Sequence, residues 1–263
     1  SSQRMMRYAP LGLLVAATTA VAEPILEADV VFLGEIHDNP YSHLAQAAAL
    51  SDIAPTAVVF EMLTPEQAAA ASDVPLTKIA AATDWANNGW PDFAIYEPIF
   101  AALGEAEMYG AGSVRAEIMK IFQIGAAQAF GADAAIYGLT DALPPDQQAA
   151  RERLQFTAHC DAMPREMMAG LVEVQRYRDA RLAATAHDAL TAHGPPVVVI
   201  TGAGHARTDW GAPALLIAAH PEVSIQSKAF IEEDDGTPYD AIELVPKIDR
   251  DDPCLAFQGN APD

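Results

Sequence analysis

The sequence predicts an α/β fold: a largely parallel central sheet flanked by helices, with a helical insertion in the middle. Short β-branched runs alternate with longer helical stretches, as they do in strand–helix–strand units. Several runs end on glycine or a carboxylate, where an open parallel sheet presents ligand-facing loops. A length of 263 residues suffices for one large core.

The elements follow in order. Residues 28–33 contain Asp29-Val30-Val31-Phe32-Leu33 and stop at Gly34, a buried strand. A helix is expected over 40–54, then a short strand over 57–60 that stops at Glu61. Thr64 caps the next helix and Pro65 suits its first turn. Residues 108–111 form a short third strand and 114–130 are helical. The stretch 144–193 reads as two helices divided near Cys160–Pro164, with Asp161 as cap of the second and Gly194 as its stop. Residues 197–201 are the clearest strand in the chain. Two terminal strands, 225–231 and 241–245, are joined by an acidic turn through Asp235-Gly236.

Composition narrows the function. Of the 51% hydrophobic residues a large part is alanine, 54 in all, so large apolar side chains are scarce. There are 36 acidic and 15 basic residues, a formal charge of −21, which excludes a nucleic-acid partner and disfavours an anionic membrane surface. No apolar run reaches the roughly 20 residues of a membrane helix.

Residues 1–22 read as a signal peptide: Arg4 and Arg7 precede an apolar stretch, and Ala20-Val21-Ala22 has the small-x-small form of a cleavage site. Loss of Arg4 and Arg7 takes the formal charge from −21 to −23. The expected product is an exported, soluble domain, residues 23–263, with no cysteine placed for a lipid anchor. For Cys160 and Cys254, one disulfide and two free thiols both stand.

Three strand ends carry the chemistry. Gly34-Glu35-Ile36-His37 follows the first strand, Glu61 the second, and Gly202-Ala203-Gly204-His205 the late one. Two histidines and two carboxylates therefore reach one sheet edge, with glycines that let the backbone turn beneath them. A lone histidine there would be a bland loop residue; the repeated Gly-x-x-His pattern points to a functional site.

The spans 30–43 (VFLGEIHDNPYSH within it), 57–62 (AVVFEM) and 197–213 (VVVITGAGHARTDWGAP) resemble the ChaN-like haem-binding proteins of the Tiki/TraB and erythromycin-esterase superfamily. The likeness extends through 85–100 and 159–181. It implies a periplasmic protein of haem or iron uptake or storage, a tyrosine axial ligand, a homodimer enclosing haem, and outer-membrane uptake partners. The tyrosine is Tyr96 or Tyr41. His37, His43, Trp90, Met163 and Met167 are the further candidates around the porphyrin, and Arg207 is preferred over Arg176, Arg178 and Arg181 for its propionates.

Haem needs a flat apolar slot, an axial donor and cations. Five of the aromatics, Trp85, Trp90, Phe93, Tyr96 and Phe100, gather in 16 positions, either as a porphyrin wall or as core beneath a helix. Tyr96 beside Glu97-Pro98 is expected at a helix entrance, with its phenol exposed. From a different class, the same edge suits a metal-dependent hydrolase acting on peptides or esters. His37, His205, Glu35 and Glu61 would then hold a divalent metal ion, with a remaining carboxylate as base.

Overall fold

A computed structural model describes residues 27–260, with side chains to residue 257, so the signal peptide read at 1–22 lies outside the described residues. Six strands form one all-parallel sheet in the order β3-β2-β4-β1-β5-β6. They are β1 (Val30–Glu35), β2 (Ala57–Phe60), β3 (Glu107–Gly110), β4 (Val197–Gly202), β5 (Ile225–Ile231) and β6 (Ala241–Leu244). The central strands β1 and β4 are buried at every position, which is why they read as unbroken apolar runs rather than alternating ones. Their register pairs Glu35 with Gly202, and β2 brings Phe60 beside Ile200. Glu61 therefore leaves the sheet next to Thr201.

Helices cover both faces. On one lie α1 (Pro40–Ile53), α2 (Pro65–Ser72), α3 (Leu76–Ala82) and α4 (Phe93–Ala101). Asn39 caps α1 by accepting from the Tyr41 N–H, and Thr64 with Gln67 closes a capping box on α2. The other face carries α5 (Arg115–Ile124), α6 (Ala126–Phe130), α8 (Met168–His193) and α10 (Ala212–Ala219). A short turn of helix, α9 (Ala203–Ala206), follows β4. Alanine has a purpose here. Ala180, Ala183, Ala186 and Ala189 of α8 are fully buried, so small side chains let the helix lie close on the sheet.

Three expectations change in detail. The helix expected over 114–130 breaks at Gly125, whose φ of 86° an L side chain rarely adopts. The stretch 144–193 does divide, into α7 (Pro145–Ala158) and α8, at a turn where Cys160 and Asp161 are left-handed. Asp161 does not cap α8; a short 3-10 turn, Arg165–Met167, leads into it instead. Between β5 and β6 there is no tight turn. Residues 232–240 cross back so that β6 pairs parallel, pinned where Thr208 N–H donates to Pro238 and Ser227 N–H to the Asp240 carboxylate.

The aromatic cluster proves to be core. Phe60 and Phe100 stack at 4.8 Å, and Trp85 packs against Phe93, Tyr96 and Phe100. Of the five aromatics Trp90 packs its ring against His37 at the sheet edge, and Tyr96 reaches Glu35 there with its hydroxyl.

Cys160 and Cys254 form a disulfide that ties the last segment to the α7–α8 turn. The bond closes a loop of 94 residues and so constrains the unfolded chain. Replacing both cysteines by serine should cost about 2–4 kcal/mol. Urea unfolding with and without reductant measures it; identical midpoints would refute the bond in solution.

Candidate functional site

Close backbone approach explains the paired Gly-x-x-His motifs. A Cβ on Gly34 would lie 2.9 Å from Ala203 Cα and Ala206 Cβ, so α9 packs directly on β1. A Cβ on Gly202 would lie 2.8 Å from the Nε2 and Cε1 of His37, whose ring thus covers Gly202. The first histidine folds over the glycine of the second motif.

Two carboxylate–histidine assemblies meet at this edge. In the first, buried Glu35 accepts a hydrogen bond from the Tyr96 hydroxyl at 2.9 Å, and the same oxygen lies 2.9 Å from His37 Nδ1. Its other oxygen is 3.2 Å from His43 Nδ1. His43 is fully buried; Nε2 donates to the His37 carbonyl, so acceptors surround the ring on both sides. Burial alone would raise the Glu35 pKa, but the hydrogen bond with His37 and the close approach of the His43 ring outweigh it and hold the carboxyl below its ordinary value. Burial would lower that of His37, yet the Glu35 hydrogen bond and the charge on Glu61 carry it up to about 9.

In the second, Glu61 Oε2 accepts from the Thr201 hydroxyl and the Gly202 N–H, both at 2.7 Å. Its Oε1 lies 3.5 Å from His205 Nε2, and His205 Nδ1 lies 2.6 Å from Asp179 Oδ1. Arg151 approaches the far side of Asp179 at 3.6 Å. Against the burial that would raise it, the charges of His205 and His37 bring the Glu61 pKa down to about 2. His205 is raised despite burial, because Glu61 and Asp179 flank it.

Above these groups opens a cleft of about 540 Å³, lined by Ile36, His37, Glu61, Trp90, Arg178 and His205 among others. Ile36, Gln175, Ala203, Gly204 and His205 are shared with a second hollow of about 520 Å³, which extends toward Arg151, Trp210 and Tyr239. Half-buried Arg178 faces the cleft and forms no hydrogen bond or ion pair with another described residue.

The sequence-predicted residues divide. Glu35, His37, Glu61 and His205 converge, but as ion pairs with nitrogens turned onto carboxylates. Among the described residues the set of three His, Cys, Asp or Glu donors lying within 4.8 Å of one another is His187, His220 and Glu222, elsewhere. The expected exposure of Tyr96 is overturned. It sits inside α4, fully buried, and burial with the neighbouring Glu35 charge pushes its phenol well above the ordinary range. Tyr41, in the first turn of α1, is 45% exposed. His43 lies beneath the cleft and positions Glu35. Met163 and Met167, half-buried around the turn into α8, line neither hollow.

Arg207 is not the free cation. Its guanidinium forks onto Asp209 at 2.6 and 2.8 Å and stacks on Trp210. Arg178 takes that place. Asp179, Arg151 and Thr201 were not singled out from sequence as site residues. A signal for Asp179 exists: Val172, Asp179, Ala183 and Ala186 share the buried stripe of α8, where a charge requires a partner.

Fold and site together define a parallel α/β protein with an open cleft on a histidine–carboxylate floor. The chain belongs to the family described as haem-binding uptake, Tiki superfamily, ChaN, whose profile matches residues 21–216. Its fold is similar to that of ChaN of Campylobacter jejuni, solved as a cofacial haem-binding structure. The two chains are 20% identical, with a TM-score of 0.63 over 82% of this chain and 86% of that one. The type III effector HopBA1 is 11% identical, with a TM-score of 0.43, over 83% of this chain and 88% of its own. A mutant of the erythromycin esterase EreC in its open conformation is 13% identical, with a TM-score of 0.42, over 77% and 70%. No curated protein matches the sequence.

The shifted groups set a pH window for stability. His37, raised to about 9, contributes fully below its ordinary 6.5, and that contribution is lost as pH rises through 9. Glu61, lowered to about 2, contributes fully above its ordinary 4.5 and loses its effect as pH falls toward 2. Thermal melts from pH 3 to 10 should peak between about 4.5 and 6.5. Glu61→Gln should flatten the acid limb and His37→Asn the alkaline one; unchanged limbs would refute the assignment.

Proposed function

We propose that the chain carries haem as cargo in the cleft at the carboxyl edge of the sheet, acting in periplasmic haem or iron uptake or storage. The observation that carries this is Arg178. In a chain with a formal charge of −21, a half-buried arginine without an anionic partner among the described residues faces the cleft. A propionate supplies that partner. The cleft volume lies within the range of small-molecule sites, and Trp90 supplies a flat aromatic surface against His37.

Bound haem presents a ferric centre that accepts a hard anionic donor. Of the two candidate tyrosines Tyr41 lines neither hollow but has an exposed phenol in the first turn of α1, whereas Tyr96 is committed to Glu35; Tyr41 is therefore the one proposed for that role. Export through residues 1–22, maturation to 23–263, a homodimer that encloses haem and delivery from outer-membrane uptake components complete the proposal.

The hydrolase alternative draws support from the Asp179–His205–Glu61 alignment, in which a carboxylate orients an imidazole beside a second carboxylate. The nitrogens are turned onto those carboxylates rather than toward a shared ion, and the free cation has no role in that scheme. Haem carriage gives that cation a partner.

Haemin titration should shift and sharpen the Soret band relative to free haemin. Tyr41→Phe should alter or abolish that shift, while Tyr96→Phe should leave it unchanged. Arg178→Ala should weaken affinity about tenfold, one charge-assisted contact, with Arg207→Ala close to wild type. A Soret band unchanged from that of free haemin, or the reverse order of the two arginines, would overturn the proposal. Metal analysis with an ester and peptide screen, comparing wild type with His205→Ala, tests the alternative.

A further inference from the structure

A second group of ligating side chains lies away from the cleft. His187 belongs to the last turns of α8, His220 ends α10, and Glu222 stands two residues further on. Their donor atoms all fall within 4.8 Å of one another. The chain runs from α8 into the start of β4 and from α10 into the start of β5. The group is therefore at the amino edge of the sheet, whereas the cleft opens at the carboxyl edge.

The arrangement is built rather than incidental. The His187 and His220 rings stack at 3.5 Å with planes 6° apart. The Tyr137 hydroxyl meets His220 Nε2 at 3.2 Å, so the other ring nitrogen, Nδ1, faces Glu222 at 3.7 Å. A hydrogen bond to the second nitrogen is how a ligating imidazole is commonly oriented. Tyr137 is itself buried against Phe130, so this support is firmly held. His187 rides on a helix fixed to the sheet by buried Ala183, Ala186 and Ala189.

We propose that His187, His220 and Glu222 bind a divalent transition-metal ion of the zinc type, with Tyr137 orienting His220. Two imidazoles and a carboxylate are a donor set that such ions favour, and three protein ligands leave a fourth position for water. Around zinc, neighbouring donors stand about 3.3 Å apart, so the parallel rings splay and exposed Glu222 closes in. The acidic chain raises the local cation concentration, which favours loading. The bound ion links the end of α8 to the α10–β5 connection and protects the folded state by mass action.

The test is a calorimetric titration of chelator-treated protein with Zn²⁺, paired with Co²⁺ absorption as the spectroscopic probe. One ion per chain is expected, with ligand-field bands from cobalt. His187→Ala and His220→Ala should each weaken binding at least tenfold, and Tyr137→Phe about tenfold. Circular dichroism and an unchanged haemin titration show that each variant is folded and that the haem proposal stands or fails separately. In wild-type protein, Zn²⁺ should protect His187 and His220 from diethyl pyrocarbonate, read by mass spectrometry, so the outcome does not rest on variants alone. No zinc binding up to millimolar concentration, equal affinity in the variants, or no protection of these two histidines would overturn the proposal.

Discussion

Much of this structure answers to one constraint: Glu61 is 7% exposed and holds its charge at the edge of the sheet. A bare buried carboxylate would cost several kcal/mol, so partners must surround it. The Thr201 hydroxyl and the Gly202 N–H take one oxygen, and His205 faces the other. His205 in turn needs Asp179, and Asp179 is approached by Arg151 from α7. One charge at the end of a four-residue strand thereby recruits β4, α8 and α7. Glycine at 202 belongs to the same demand, since any Cβ there would strike the His37 ring.

The parallel sheet was legible because β1, β2 and β4 are buried on both faces, and unbroken apolar runs are what such strands require. The edge residues were legible too, because Glu35 ends a strand and His37, Glu61 and His205 each follow one within a few positions. Asp179 lies 26 positions before its partner in the chain, and only packing brings α8 across β4. Tyr96 was misplaced for a related reason. Its neighbour Pro98 suggests a helix start, but α4 begins at Phe93, with Asp92 as its cap, and turns the phenol inward onto Glu35. The parallel pairing of β6 was equally hidden, because it depends on where Asp240 and Pro238 find partners.

The arginines show how pairing, rather than proximity in sequence, decides which cation is available. Arg207 follows His205 by two positions and looked the better partner for an anion, yet Asp209 is also two positions on and matches its fork. Arg176, on the same helix as Arg178, is occupied by Glu173 and by the carbonyls of Gly138 and Asp141. Arg178 is rotated away from those partners and toward the cleft, where its charge presses on His37 and His205. With both histidines drawn toward protonation by their carboxylates, an anion is welcome at this mouth.

Alanine ties the two ends of the molecule together. Helix α8, 26 residues or about 39 Å, carries Arg178 and Asp179 at one level and His187 about 12 Å further along its axis. Between them Ala180, Ala183 and Ala186, all fully buried, pack in the same core as the sheet, beside Leu182. Alanine loses no rotamer freedom on burial and leaves no flexible side chain between backbone and sheet. At these positions the helix can lie close on the sheet, and the polar groups on α8 take their places from that packing. Asp179, buried one residue before Ala180 on this face, is held where it can orient His205. A composition that first suggests a weak core supplies a rigid rod, and the groups at both levels of the rod are placed by it.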